Sequence, residues 1–335
     1  MPHDGVILVA GAGGFIGGWL VRHLHDRGLR RVRAVDIKPI EQWYQVTEEA
    51  ENLPGCDLRL RESCQRVVEG AVEIYNLAAE MGGMGFIERN KAACMVSVLI
   101  NTHLLLAAKS SGAVERYFFA SSACVYNTQK QRDPEATALR EEDAYPAMAE
   151  DGYGWEKLFS ERMCRHFLED YGLETRVARF HNVYGPWGAW DGGREKAPAA
   201  ICRKVIEAID RGTGEIEIWG DGRQTRSFLY IDDCLRGIDL IAHGDVRQPL
   251  NLGSTELVSI DQLVDIVEEI AGVRLRRRYV LNAPKGVRGR NSDNSRLRAG
   301  FGWEPDTPLR VGLERTYAWI REQYEARKSG RPTVC

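Results

Sequence analysis

Val6-Ile7-Leu8-Val9-Ala10-Gly11-Ala12-Gly13-Gly14-Phe15-Ile16-Gly17 is the stretch from which the fold is read. The short apolar, β-branched run predicts a strand. The glycines predict a turn, and the apolar pattern through Trp19, Leu20, His23 and Leu24 predicts a helix. Glycines at 11, 14 and 17 let the backbone turn sharply, approach a pyrophosphate and pack the helix on the strand, so that the helix N-terminus faces the phosphates. A second strand, Val32-Arg33-Ala34-Val35, ends in Asp36. A carboxylate there can accept hydrogen bonds from both ribose hydroxyls and repels a 2'-phosphate, which favours NAD over NADP.

Further strand-like segments lie at 73–79, 116–121 and 175–180, with a helical pattern at 101–109 between two of them. Strands alternating with helices predict an α/β fold, a Rossmann-like doubly wound parallel sheet with ligands at the C-terminal strand ends. Ala78-Ala79 and Ser121-Ser122 fall at such ends. From His181 to Gly193 the chain turns loop-like and rich in glycine and aromatic residues, and helices are expected at about 196–211, 232–242, 259–271 and 308–328. The expected division is an NAD-binding domain over 1–180 and a smaller C-terminal substrate-binding domain over 181–335. Segments near 226–233 and the last helix are expected to pack back on the first domain.

Composition narrows the function. The 335 residues are 44% hydrophobic, enough for a substantial core, and the net charge of −3 points to neither nucleic acid nor an anionic membrane surface as a partner. No run is read as approaching a membrane span, and the start at Met1 leads into a strand without an apolar signal segment. The eight cysteines are scattered, with no Cys-x-x-Cys and no Cys/His cluster at zinc spacing, so no metal is expected and a reducing, cytoplasmic setting is.

Tyr153 and Lys157, four apart, share a helix face. A cation beside the phenol favours phenolate, the base needed to take a proton from a sugar hydroxyl. Cys124, in Ser121-Ser122-Ala123-Cys124, adds a thiol for a second proton transfer.

The glycine loop, Asp36, Ser122, Tyr153 with Lys157, Asn182-Val183-Tyr184-Gly185-Pro186 and Gly302-Trp303-Glu304-Pro305 together resemble the extended short-chain dehydrogenase/reductases that act on nucleotide sugars. Within them the chain is similar to the GDP-mannose 3,5-epimerase branch. That likeness is carried by 79–87, by 121–124, by Gly192-Gly193-Arg194-Glu195-Lys196-Ala197-Pro198-Ala199-Ala200, by 220–228 and by 286–294. The resemblance implies that Tyr153, Lys157 and NAD oxidise and later reduce C4, with Ser122 beside them, while Cys124 and Lys196 exchange protons at C3 and C5. It assigns the cofactor to Gly11, Gly14, Phe15, Ile16, Gly17, Asp36, Asp57, Ala78, Tyr153 and Lys157. GDP-mannose or a related nucleotide sugar falls to Gly82, Ser122, Cys124, Asn182, Glu195, Lys196, Ala197, Lys204, Gln224, Thr225, Arg226 and Arg290, with Lys204, Arg226 and Arg290 suited to the pyrophosphate. Arg288 either shares that role or braces its loop. A homodimer is expected.

Trp155 and the segment 211–215 depart from the family pattern and are expected to reshape the sugar pocket or its rim. A 4,6-dehydratase needs an acid where Ala123-Cys124 stand, which disfavours dehydration. A 4-ketosugar reductase, which needs Tyr153 and Lys157 alone, stays as the alternative. A non-catalytic NAD-binding regulator is the reading from another class.

Overall fold

The computed structural model describes residues 5–135, 137–284 and 286–334. Met1–Asp4 and Cys335, both used in the sequence reading, lie outside them.

Strand β1 (Val6–Ala10) is buried along its whole length, which is why it reads as a continuous apolar run. Its alternate residues serve two cores: Leu8 and Ala10 face one, Ile7 and Val9 the other. After α1 (Phe15–Asp26) the chain lays down β2 (Val32–Val35), β3 (Glu51–Leu53), α2 (Arg61–Val68) and β4 (Ala71–Asn76). Helices α3 (Met84–Arg89), α4 (Lys91–Val96) and α5 (Val98–Ser111) lead to β5 (Arg116–Ser122), and α6 (Asp151–Tyr171) leads to β6 (Thr175–Phe180). The sheet order is β3-β2-β1-β4-β5-β6 and then the strand Leu250–Leu252, with every pairing parallel. Strand order reverses between β1 and β4, so a crevice opens there at the carboxyl ends of the strands.

The second half supplies α7 (Ala197–Arg211), α8 (Ile231–His243), α9 (Ile260–Ala271), α10 (Ser295–Phe301) and α11 (Leu309–Lys328). The expected helices therefore stand within a residue or so of their positions. The division at 180 is not a clean cut in space. Helix α8 packs on α1 and β6, and Leu250–Leu252 completes the large sheet. The last helix does the opposite of what was expected and packs chiefly on α7 and α9. Its buried Leu313, Trp319 and Ile320 join the apolar faces of those two helices.

The reading of membrane-span length needs a correction. Residues 91–111 are apolar and helical over 21 residues, long enough by composition to cross a bilayer. In the fold they form α4 and α5, whose Cys94, Leu104, Leu105, Ala107 and Ala108 are buried, while Met95, Leu99 and Leu106 remain exposed on the outer side.

Candidate active site

A continuous cleft of about 1330 Å³ runs along the carboxyl ends of the strands. One end is lined by Gly11, Gly14, Phe15, Ile16, Gly17, Asp36 and Asp57, and the middle by Ala78, Ser122, Cys124, Tyr153 and Lys157. Lys196 and Arg290 also line the cleft beside Cys124, and the remaining lining includes Gly82, Asn182, Glu195, Ala197, Lys204, Gln224 and Arg226. Of the residues expected at the site, only Thr225 is missing from this lining.

The first end fits a dinucleotide. Gly11 has φ +85°, a left-handed backbone that glycine adopts without strain, and a Cβ at Gly17 would overlap the carbonyl oxygen of Gly11. The helix start is thus drawn onto the turn, leaving its amide groups directed at the cleft. Asp36 is fixed at the end of β2, where its carboxylate accepts from Gly13 N and from Lys38 N, each at 3.0 Å. Lys38 returns the contact by donating to Gly13 O at 3.0 Å.

Tyr153 and Lys157 lie on the buried side of α6, with the Lys157 ammonium 5.6 Å from the Tyr153 ring centroid. The phenol is held well above its ordinary pKa, first by burial and then by Cys124 and Glu156, while a hydrogen bond with Ser122 works the other way. Ser122 Oγ also accepts from Cys124 N at 3.2 Å, so one hydroxyl sets the positions of both the phenol and the thiol-bearing turn. Lys157 is 2% exposed, and its nearest acid is Glu156, 3.9 Å away.

Cys124 sits under a buried ion pair. Arg290 donates to Glu150 at 2.7 Å and to Gln131 Oε1 at 2.7 Å, and its remaining nitrogen lies 3.7 Å from the Cys124 sulfur. Burial pushes the thiol up and Glu150 pushes it the same way, while Arg290, Ser122 and Lys196 pull it down. Lys196 is held below the usual lysine value, mainly by burial of its ammonium among protein atoms, with Cys124 acting against that and Arg290 for it. The two groups thus move toward each other in proton affinity, which makes a proton transfer through either one less one-sided.

The remaining lining holds polar groups with capacity to spare. Asn182 donates to Ser227 O at 3.0 Å, and Lys204 donates to Glu217 O at 3.0 Å. Gln224 donates to Trp219 O at 2.7 Å, while its buried Oε1 has no partner among the described residues. Glu195 accepts from Gly193 N at 2.7 Å and from Arg203 at 3.0 Å. Arg226 donates to Thr225 O at 2.7 Å, and burial lowers it to about 10.

Several expectations are corrected. Thr225 turns its hydroxyl to Pro134 O, because successive side chains of the strand Thr225–Ser227 alternate and its neighbours Gln224 and Arg226 take the cleft side. Of the two roles left open for Arg288, the structure has the brace: it pairs with Asp221 at 2.9 Å, outside the cleft lining. Trp155 is 43% exposed on the outer face of α6, since two residues on from Tyr153 is about 200° around a helix. Residues 211–215 form the left-handed end of α7 at Gly212 and the start of the strand Glu215–Trp219, away from the cleft. Glu150 was missed altogether. It lies three residues before Tyr153 but 140 positions from Arg290, and nothing local marks the pair.

A dinucleotide crevice that ends in a Tyr/Lys pair defines a dehydrogenase-type Rossmann enzyme. The chain belongs to the NAD dependent epimerase/dehydratase family, whose profile matches residues 7–253. It is 44% identical over 326 residues to the GDP-mannose 3,5-epimerase of Arabidopsis thaliana, covering 96% of this chain and 84% of the relative. Among solved structures, the UDP-glucose 4-epimerase of Thermotoga maritima with UDP-glucose has a TM-score of 0.85 at 25% identity, covering 95% of this chain and 99% of that one. MoeE5 in complex with UDP-glucose and NAD has a TM-score of 0.78 at 31% identity, covering 96% and 100%.

Proposed function

We propose that this chain is a nucleotide-sugar epimerase that converts GDP-mannose to GDP-L-galactose, with GDP-L-gulose formed where inversion is confined to C5. The observation that carries the proposal is the meeting of Cys124 and Lys196 with Tyr153 in one cleft, close enough for thiol and ammonium to shift each other. A reductase has no use for that second pair. The GDP-mannose specificity rests on the activity of the Arabidopsis thaliana relative.

Gly11, Gly14, Gly17 and Asp36 would hold NAD, which would supply the acceptor and donor for the C4 hydride. Tyr153 removes the C4 hydroxyl proton, the Ser122 hydrogen bond holds the phenol in place and favours phenolate, and the Lys157 ammonium lies 5.6 Å from the ring centroid. A C4 ketone acidifies the C–H bonds at C3 and C5, because the carbanion is delocalised as an enolate. Inversion then needs one group on each ring face, and we assign Cys124 and Lys196 to them. Whichever way the proton moves, thiolate is one end of the transfer at Cys124, and Arg290 stabilises it. Arg226 and Lys204 are assigned to the pyrophosphate end.

We further propose a cytoplasmic homodimer. Support for the dimer comes from the apolar outer faces of α4, α5 and α6, where Met95, Val96, Leu99, Leu106 and Phe159 stand exposed beside Trp155. Support for the location comes from the seven described cysteines, all of them free thiols.

The test is incubation with GDP-mannose in deuterated water, with the label located by NMR. Deuterium at C3 and C5 with none at C4 is the expected result. Label at C6 would mean dehydration, and no label without added reductant and a keto substrate would mean a reductase.

A further inference from the structure

The loop that carries Lys196 is fastened across the cleft by a residue without an assigned role. Gly192 and Gly193 have φ of +87° and +84°, so the loop turns sharply just before Arg194. The backbone of Arg194 accepts from Gly83 N at 3.0 Å, on the loop that follows β4. Its guanidinium donates to Met81 O at 3.2 Å, pairs with Glu80 at 2.7 Å and lies 4.0 Å over the Phe86 ring. The two loops are pressed together, since a Cβ at Gly83 would stand 2.5 Å from Glu195 O. On the opposite side Arg203 donates to Trp190 O at 3.1 Å and pairs with Glu195 at 3.0 Å. One loop is therefore anchored to both walls.

Arg194 and Glu80 line the same cleft as Gly11, Asp36 and Lys38, and both are close enough to Lys38 to act on its charge, which puts their joint beside the end that fits a dinucleotide. We propose that Arg194 is a positioning residue, a latch that ties the Lys196 loop to the loop after β4 and retains NAD through the catalytic cycle. The inference rests on the epimerase reading, in which a cofactor that gives back what it takes must not depart between the two transfers. The guanidinium and the Glu80 carboxylate are 48% and 42% exposed, so the latch is weak enough to open. A cation over an aromatic ring and a half-exposed ion pair together suit about a ten-fold effect on release, equal to about 1.4 kcal/mol.

The experiment measures the NAD dissociation rate from the full chain by displacement, with no sugar present, for wild type, Arg194→Ala, Arg194→Lys and Glu80→Gln. Arg194→Ala should release NAD about ten-fold faster, Glu80→Gln should fall between it and wild type, and Arg194→Lys should recover part of the loss. With sugar added, the NAD concentration needed for half-maximal exchange should rise in Arg194→Ala, and excess NAD should restore the rate. An unchanged release rate in both Arg194→Ala and Glu80→Gln, at a native melting temperature, overturns the latch. So does a rate loss that excess NAD does not restore. If the wild-type protein leaves GDP-mannose unlabelled, the epimerase reading fails, while the release rates still decide the latch.

Discussion

Replacing Arg290 by Gln should separate the role of Arg290 at the thiol from its role in the fold. The guanidinium stands 3.7 Å from the Cys124 sulfur. At an effective dielectric of about 20, a unit cation at that distance favours thiolate by about 4 kcal/mol. Glu150, the ion-pair partner of Arg290, pushes the same thiol up and stays in the variant, so with the guanidinium gone nothing offsets it and the thiol should move up. The thiolate fraction at neutral pH then falls, and the rate of deuterium entry at C3 and C5 should fall with it, by about ten-fold or more. Alkylation of Cys124 by iodoacetamide, followed by mass spectrometry against pH, reads the thiol directly and needs no substrate. Its midpoint should move up in Arg290→Gln. The fold bears a separate cost, because Glu150 loses a buried partner, a defect of about 3–5 kcal/mol that protonation of the carboxyl lessens. Adding Glu150→Gln should recover the melting temperature and bring the alkylation midpoint back toward wild type, because Glu150 pushes the thiol up at least as strongly as Arg290 pulls it down. An alkylation midpoint identical in wild type and Arg290→Gln would refute the argument.

Three other outcomes are expected. Cys124→Ala and Lys196→Met should each abolish inversion while NAD still binds, as read by deuterium NMR and by cofactor titration; wild-type exchange in either variant would remove that residue from the proton path. Asp36→Ala should narrow the preference for NAD over NADP, checked by comparing the two dissociation constants, because the carboxylate that repels a 2'-phosphate is gone while Lys38 stays beside the site. His181 should make the fold acid-sensitive. Burial lowers it from 6.5 to about 3, and its Nε2 donates to Asn251 Oδ1 at 2.9 Å, so it is neutral when folded. An unfolded chain takes up a proton below about pH 6.5 and the folded one does not, so stability is full above that pH and is lost as the pH falls toward 3. The loss should be about 2 kcal/mol between pH 7 and pH 5, measured by urea denaturation, and His181→Gln should largely escape it.

What the sequence by itself determined is what lies within a few residues of its cause. The apolar run 6–10 with its glycine turn, Asp36 at the end of the next strand, and Tyr153 with Lys157 one helical turn apart are local patterns; the run is the buried strand β1, and the glycine turn, Asp36, Tyr153 and Lys157 line the cleft. Backbone periodicity reaches only that far. The tertiary structure decided what depends on chain ends meeting. Leu250–Leu252 joins the large sheet beside β6 because a buried strand edge there takes a parallel partner, though the segment is too short to announce itself. Thr225 turns to Pro134 and Trp155 to the outside for a local reason instead, strand alternation and helical phase, which overrule nearness in sequence. Above all it brought Arg290 onto Glu150 and Cys124. Burying an arginine requires a buried carboxylate, and the chain supplies that partner from 140 residues away, setting the proton affinity of the thiol at the centre of the site.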